Sequence, residues 1–380
     1  MKTNVAIIGE GIIGLSIGYN IARRGERDLV VIEGKHMGYG SSTRSASHFR
    51  VHFWSDENVR FAIEARKRLL RLGEELSFNP LVETNGYMWL LYEEALLQAY
   101  RKRNAKWAEL GVPGRLLSSD DLEANHPYIS TAGLLGAFFG PQDGSLHHDF
   151  LMFGYRDAIL KSGGEIRERV EAKRLIADGN RIRGVETSTG FVEADNVVVA
   201  AGVGCNQILE TLGIRLPMAS ERREICVLEP MRPFIKTFVI NTKLKSFYVA
   251  QTLRGESIGS IDPHPAKQSL ELGNTIEFLK EFSRAAVLTI PTLRKARVLR
   301  VWSGFYEVTP DHSQILGRDP EWPDGLYVAA GFSGHGLMMA PFVGEVMADQ
   351  ILEDRIHPLM KPYDPTRFEE KREIKETLVM

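Results

Sequence analysis

The chain has 380 residues, 43% of them hydrophobic and 25% charged, with a net charge of −2. That is a globular composition with ample apolar material for a core, and the length suits two domains or one domain with an insertion. Near-neutral charge and a pI of about 6.6 favour neither nucleic acid nor an anionic membrane as a partner.

Lys2 before an apolar stretch imitates a signal peptide, but Glu10 interrupts the stretch and no small-residue cleavage site follows. Val5–Ile8 reads instead as a buried parallel strand. It runs into Gly9-Glu10-Gly11-Ile12-Ile13-Gly14, a G-x-G-x-x-G match, and then a helix with Ile17, Ile21 and Ala22 on its expected buried face. A second strand, Leu29–Ile32, ends on Glu33. Each part has a physical job. Gly9 permits the tight turn, Gly11 admits a pyrophosphate to the backbone, and Gly14 lets helix and strand pack closely. The helix N-terminus offers unpaired N–H groups to phosphate. Glu33 stands where a carboxylate accepts from ribose hydroxyls, which disfavours NADP and leaves FAD or NAD.

Residues 36–55 read as a long functional loop, and 56–77 as helical. Residues 81–92 suggest strands on either side of Gly86, and 93–111 a helix. A helix from Phe150 to Lys161 is expected, with Asp149 as its N-cap. Gly184–Thr187 and Gly190–Ala194 resemble a hairpin, and Asn196–Gly202 a separate buried parallel strand. Residues 222–260 read as an antiparallel sheet and 274–288 as a helix. Leu326–Leu352 reads as strand, glycine-rich turn and a helix starting near Ala340. The fold class expected is α/β (α+β overall). A Rossmann-like nucleotide-binding domain from 1–77, 145–215 and 309–380 interleaves with a mostly antiparallel substrate domain from 78–144 and 216–308.

Cys205 and Cys226, the two cysteines, have no metal-ligand spacing and imply no disulfide framework. His147-His148 lacks the acids or thiols that would complete a metal site, so the pair is expected at solvent or at an interface. No uncharged apolar run reaches the ~18 residues of a membrane span. The expectation is a soluble cytoplasmic protein, with peripheral attachment through a partner left open.

Five motifs then occur in order: Gly9–Gly14 with Glu33; Gly40-Ser41-Ser42-Thr43-Arg44; Ala200-Ala201-Gly202; Thr309-Pro310-Asp311 with Ile315-Leu316-Gly317; and Gly331-Phe332-Ser333-Gly334-His335-Gly336 before Ala340-Pro341. Together they resemble the family of glycine oxidase, sarcosine oxidase and D-amino-acid oxidase over nearly the whole chain. The run Ala330–Gly344 and the tail Tyr363-Asp364-Pro365-x-Arg367-Phe368 look most like the β subunits of archaeal dye-linked L-proline dehydrogenase and of sarcosine oxidase.

The resemblance implies non-covalent FAD rather than NAD. It also implies a small amino-acid substrate, a second subunit or electron-acceptor protein, and a second site for FMN at a subunit contact. Among cofactor residues it adds Ile12, Ile13, Gly34, Lys35, Gly304, Leu337 and Met338, and Val170 through its backbone. Ser41, Ser42 and Thr43 suit phosphate or flavin contacts, with plain turn chemistry as the alternative. Arg44 is expected to be structural or to face the flavin.

Amino-acid oxidation by a flavin needs a clamped carboxylate, a neutral amine, a hydrogen facing the ring and stabilised charge on the reduced ring. Arg50 matches the family's clamp, and a guanidinium holds a carboxylate by two parallel bonds. Tyr248 is expected over the substrate, or in sheet packing. His335, between two glycines, is expected near the ring without a role as general base. Two departures stand out. Cys205 replaces a tryptophan of many relatives at the flavin wall, and His48 only loosely matches a tethering position. The strand Ser257–Ile261 lacks the oxygen-activating lysine of oxidases, which favours a dehydrogenase, most of all of L-proline. The alternatives are an oxidase or dehydrogenase of glycine, sarcosine or D-amino acids, an NAD-linked dehydrogenase, and a non-catalytic flavin-holding subunit.

Overall fold

A computed structural model describes residues 2–262, 267–268 and 270–377; residues 1, 263–266, 269 and 378–380 of the expected domain ranges lie outside it. Val5–Ile8 is buried on both faces and forms the middle of a first sheet. Its strand, Lys2–Ile8, runs parallel to Leu29–Ile32 on one side (Ile7 opposite Val31) and to Gly190–Val199 on the other (Ile7 opposite Val198). Glu165–Arg167 and Leu326–Ala330 extend the parallel set, and Ile315–Gly317 adds an antiparallel edge. A chain that winds away from a central strand in both directions leaves a crevice at the strands' carboxyl ends.

Gly190–Val199 is one ten-residue strand rather than a hairpin arm followed by a separate strand. Its first half pairs antiparallel with Arg181–Thr187 and its second half parallel with the opening strand. The alternating half faces solvent on one side and the Val197–Val199 half is covered on both, so the burial pattern changes without a break in the backbone.

The helix Ile12–Arg23 is buried at every residue from Ile12 to Ala22, well beyond the face expected. It is enclosed by the sheet, by the helix His148–Lys161 and by the helix Gly336–Glu353. Ser16 donates to the Ala340 carbonyl at 2.6 Å. A Cβ on Gly344 would fall on that serine, so the two helices meet nearly backbone to backbone there. In the helix His148–Lys161 the N-cap is His147, without a side-chain bond. Asp149 lies inside the first turn, where its charge still suits the helix dipole.

The second sheet takes its strands from Tyr87–Gly140 and Ala219–Val308. One strand, Tyr87–Leu91, stands where two were expected; before Gly86 only an isolated bridge from Glu83 to Ser145 forms. It pairs parallel with Phe238–Asn241, among the described residues the one parallel pair in an otherwise antiparallel sheet. Both faces of Tyr87–Leu91 are buried. Met88 and Leu90 pack with Phe282 of the helix Ile276–Thr289, while Tyr87, Trp89 and Leu91 face the first sheet's core.

The tail is locked to this body by charge. Arg367 is fully buried, and its Nε lies 2.8 Å from Asp311 Oδ2 and its Nη2 3.1 Å from Oδ1. Asp311 also accepts from the Ile374 N–H. The two motifs Thr309-Pro310-Asp311 and Asp364-Pro365-x-Arg367 are thus halves of one bidentate pair. Arg367→Ala leaves the Asp311 charge buried and uncompensated, and is expected to lower stability by about 3–5 kcal/mol. Denaturant unfolding of the two proteins checks this; a loss below ~1 kcal/mol contradicts it.

Candidate active site

The turn after the opening strand is built by close backbone contacts. Gly9 has φ +111°, and a Cβ there would lie 2.5 Å from the Ala200 carbonyl oxygen. A Cβ on Gly14 would fall on the Gly9 carbonyl oxygen, and one on Gly11 would come 3.3 Å from Ser42 Oγ. Helix Ile12–Arg23 therefore starts with no acid in its first turn, and Ser42 Oγ accepts from the Ile12 N–H at 2.9 Å. Glu33 is aimed by two backbone donors, Glu10 N–H at 3.1 Å and Lys35 N–H at 2.8 Å. Gly34, Ser41 and the Ala200-Ala201-Gly202 turn complete the groove beside these residues.

A cleft continues from the groove, and Ile12, Ile13, Ser41, Ser42, Glu307 and Phe332 line both. Arg50 is buried in its wall, directly after the two-residue strand His48–Phe49. Its Nη2 stands 3.0 Å from His335 Nε2, and its guanidinium lies over the Phe53 ring at 4.5 Å. Arginine has only donors, so His335 accepts and is neutral. Burial and the Arg50 charge hold its pKa well below the usual histidine value. The following helix begins at Gly336, four residues before the expected Ala340, and contains Pro341. Gly336, Leu337 and Met338 line the cleft, which places the helix's unpaired N–H end there.

The opposite wall is aromatic. Tyr248 stacks on Phe238 (centroids 4.9 Å apart), which stacks on Tyr87 (4.2 Å). Burial raises the Tyr248 hydroxyl pKa well above its ordinary value, so it stays a neutral phenol. His48 sits 4.4 Å from Phe238 and is also neutral, its pKa pushed down to about 4 by burial.

The chain matches the family model described as FAD dependent oxidoreductase over residues 4–350. It belongs to that family. It is 25% identical to sarcosine oxidase subunit beta of Rhodobacter capsulatus, covering 99% of this chain and 91% of the relative. It is 27% identical to glycine oxidase of Geobacillus kaustophilus, covering 96% and 97%. The crystal structure of L-proline dehydrogenase from P. horikoshii superposes with a TM-score of 0.92 at 31% identity, covering 97% of this chain and 98% of that one. The residues present fit FAD: a glycine-walled groove with an acid at one end opens into a cleft ending on a helix N-terminus.

Most of the residues expected to hold FAD line these two spaces, including Arg44, Gly304 and Gly334 in the cleft. Five do not. Gly14 serves helix packing, and Gly331, with φ +69°, sits against Thr309. The Thr43 hydroxyl donates to the Gly38 carbonyl at 2.8 Å, so its role is turn chemistry. Lys35 contributes its backbone to Glu33 and to Arg169. The Val170 N–H bonds to the Glu33 carbonyl, and the adjacent Glu171 and Ala172 line the groove. Cys205 is buried in the core beside Val199. His148 is no solvent residue: its Nε2 lies 3.2 Å from the Thr43 carbonyl oxygen and its Nδ1 meets Ser47 Oγ. Among the described residues no cluster could hold a metal.

Sequence reasoning missed Arg223, Asp262, Tyr306 and Glu307. Arg223 pairs with Asp262 (2.9 Å) and Glu221 (2.9 Å) and lies 5.1 Å over the Tyr306 ring. Tyr306 packs under Gly334, where a Cβ would sit 2.5 Å from the ring. In a strand pattern Arg223 and Glu307 look like ordinary solvent-facing residues; only the pairing of their strands shows which face they take. Glu33→Ala removes charge-assisted acceptors from the groove, worth about 1.5–3 kcal/mol. FAD should dissociate roughly ten- to a hundredfold more readily, as read by flavin loss on dialysis; unchanged retention contradicts the placement.

Proposed function

We propose that the protein oxidises a small amino acid at the carbon bearing its amine, with L-proline as the substrate. The observation that carries this is the buried Arg50 set against the aromatic wall of Tyr87, Phe238 and Tyr248 in one cleft. Arg50 clamps the carboxylate in two parallel bonds, and neutral His335 holds the guanidinium's orientation from behind. The aromatic faces take the apolar ring of a cyclic amine and exclude water. FAD supplies the two-electron acceptor, and the N-terminus of Gly336–Glu353 supplies positive potential for the charge that acceptor gains.

In this reading the first sheet is the cofactor-binding body, from 1–77, 145–215 and 309–380, and the second, from 78–144 and 216–308, is the substrate-binding body. Among the described residues no lysine lines the cleft, which supports transfer to a dye, quinone or protein rather than to oxygen. A relative whose name is subunit beta supports a second subunit, and an FMN at that contact is the finest form of the proposal. No helix of the described residues is long and apolar enough to cross a membrane, and a cytoplasmic location belongs to the same reading. A second reading, oxidation of sarcosine or glycine, is favoured by the named sarcosine oxidase and glycine oxidase relatives.

Anaerobic addition of L-proline, sarcosine and glycine to the holoenzyme separates the two. Bleaching of the flavin by L-proline well ahead of the others is the expected outcome, whereas rapid peroxide formation in air with sarcosine or glycine overturns it. Arg50→Ala should keep its visible flavin absorbance but lose about 3 kcal/mol or more in kcat/KM, roughly a hundredfold or greater. Unchanged turnover would show a flavin-holding subunit instead.

A further inference from the structure

Glu307 sits where groove and cleft meet, and its side chain lines both. It lies on the strand Val298–Val308, opposite Ser220 of Ala219–Leu228. Its Oε2 accepts from the Gly331 N–H at 3.0 Å, and the Phe332 backbone also bonds to the carboxyl. Its Oε1 is directed to the Gly202 turn, where a Cβ would stand only 3.2 Å away. Gly202, with φ +59°, therefore leaves this oxygen uncovered at the edge of the groove.

Apart from the Gly331 and Phe332 backbone, the groups near the carboxyl do little to hold a negative charge. The turn beside it carries Cys205, whose thiol pKa is pushed up by burial, so it is neutral. The loop behind carries His335, also neutral. Tyr306 adjoins it in the strand as a phenol, and Arg44 reaches the cleft from the serine loop, packed over Gly304. Among the described residues no ion pair reaches Glu307. Burial accordingly raises its pKa to about 7.

We propose that Glu307 is a cofactor-positioning residue that takes up a proton from solvent as FAD binds and, as the neutral acid, donates a hydrogen bond to an oxygen of the chain joining the two halves of FAD. Two arguments support this. The Gly331 N–H already occupies Oε2, while Oε1 stands at the Gly202 turn on the groove's edge. The diphosphate brings negative charge and displaces water, and both favour the neutral acid. The inference rests on the FAD reading above.

Linkage sets the expectation. The carboxyl's pKa is already raised in the free protein and rises further in the complex, so binding is strongest below about pH 7 and weakens as pH climbs. FAD release from diluted holoenzyme, followed by recovery of flavin fluorescence between about pH 6 and 9, should show Kd rising by up to tenfold per pH unit above about 7. Glu307→Gln keeps a neutral donor of the same shape. It should hold FAD within a few fold of the natural protein at pH 7, with the slope abolished. Glu10, whose pKa is also raised to about 7, remains in the variant and cannot account for a lost slope. A flat profile in the natural protein, which needs no variant to fold, overturns the proposal. So does an unchanged slope in Glu307→Gln. Failure of the protein to hold FAD at any pH sinks the cofactor reading itself, a separate result.

Discussion

The structure depends on how closely three pieces of backbone meet at the end of the opening strand. Gly9 touches the Ala200 carbonyl, and Gly14 sits on the carbonyl of Gly9. That approach sets the start of helix Ile12–Arg23 between two parallel strands and leaves its N–H groups at the groove. It also ties the middle of the chain to its beginning, since Ala200 closes a strand paired with the first. A side chain at either glycine would push these segments apart, and groove, helix and cleft would shift together.

A second helix repeats the arrangement at the other end of the site. Gly336–Glu353 packs on Ile12–Arg23 through the narrow contact of Gly344 with Ser16. Its N-terminus therefore has a fixed position relative to the first. One helix end faces the groove and the other the cleft, so a single ligand spanning both meets positive potential twice.

The cleft between them separates charge by burial. Around Arg50, His335, His48 and Tyr248 are all held uncharged by desolvation. An anionic group entering the cleft thus meets a buried guanidinium whose field is weakly screened. Position also matters. Arg50 follows directly on the paired strand His48–Phe49, and the Val51 N–H and the His52 ring are both held by buried Asp143. The arginine projects from a segment anchored on either side.

Local chemistry was enough to read the cofactor end from the sequence. Gly9, Gly11, Gly14 and Glu33 act within one βαβ unit of about thirty residues, and their spacing alone carries the turn, the helix start and the acid. Arg50 and the 331–336 loop were legible only as parts of a resemblance, since nothing local says that residues 285 positions apart share a hydrogen bond. Tertiary structure decided the rest. Strand pairing turned Arg223 and Tyr306 inward, where a two-residue alternation cannot tell the inner face of a sheet from the outer. Helix packing buried every residue from Ile12 to Ala22 and let Gly336–Glu353 begin before its proline. The role of Glu307 arises only where two cavities join, because a carboxyl's burial belongs to its three-dimensional surroundings and not to its place in the chain.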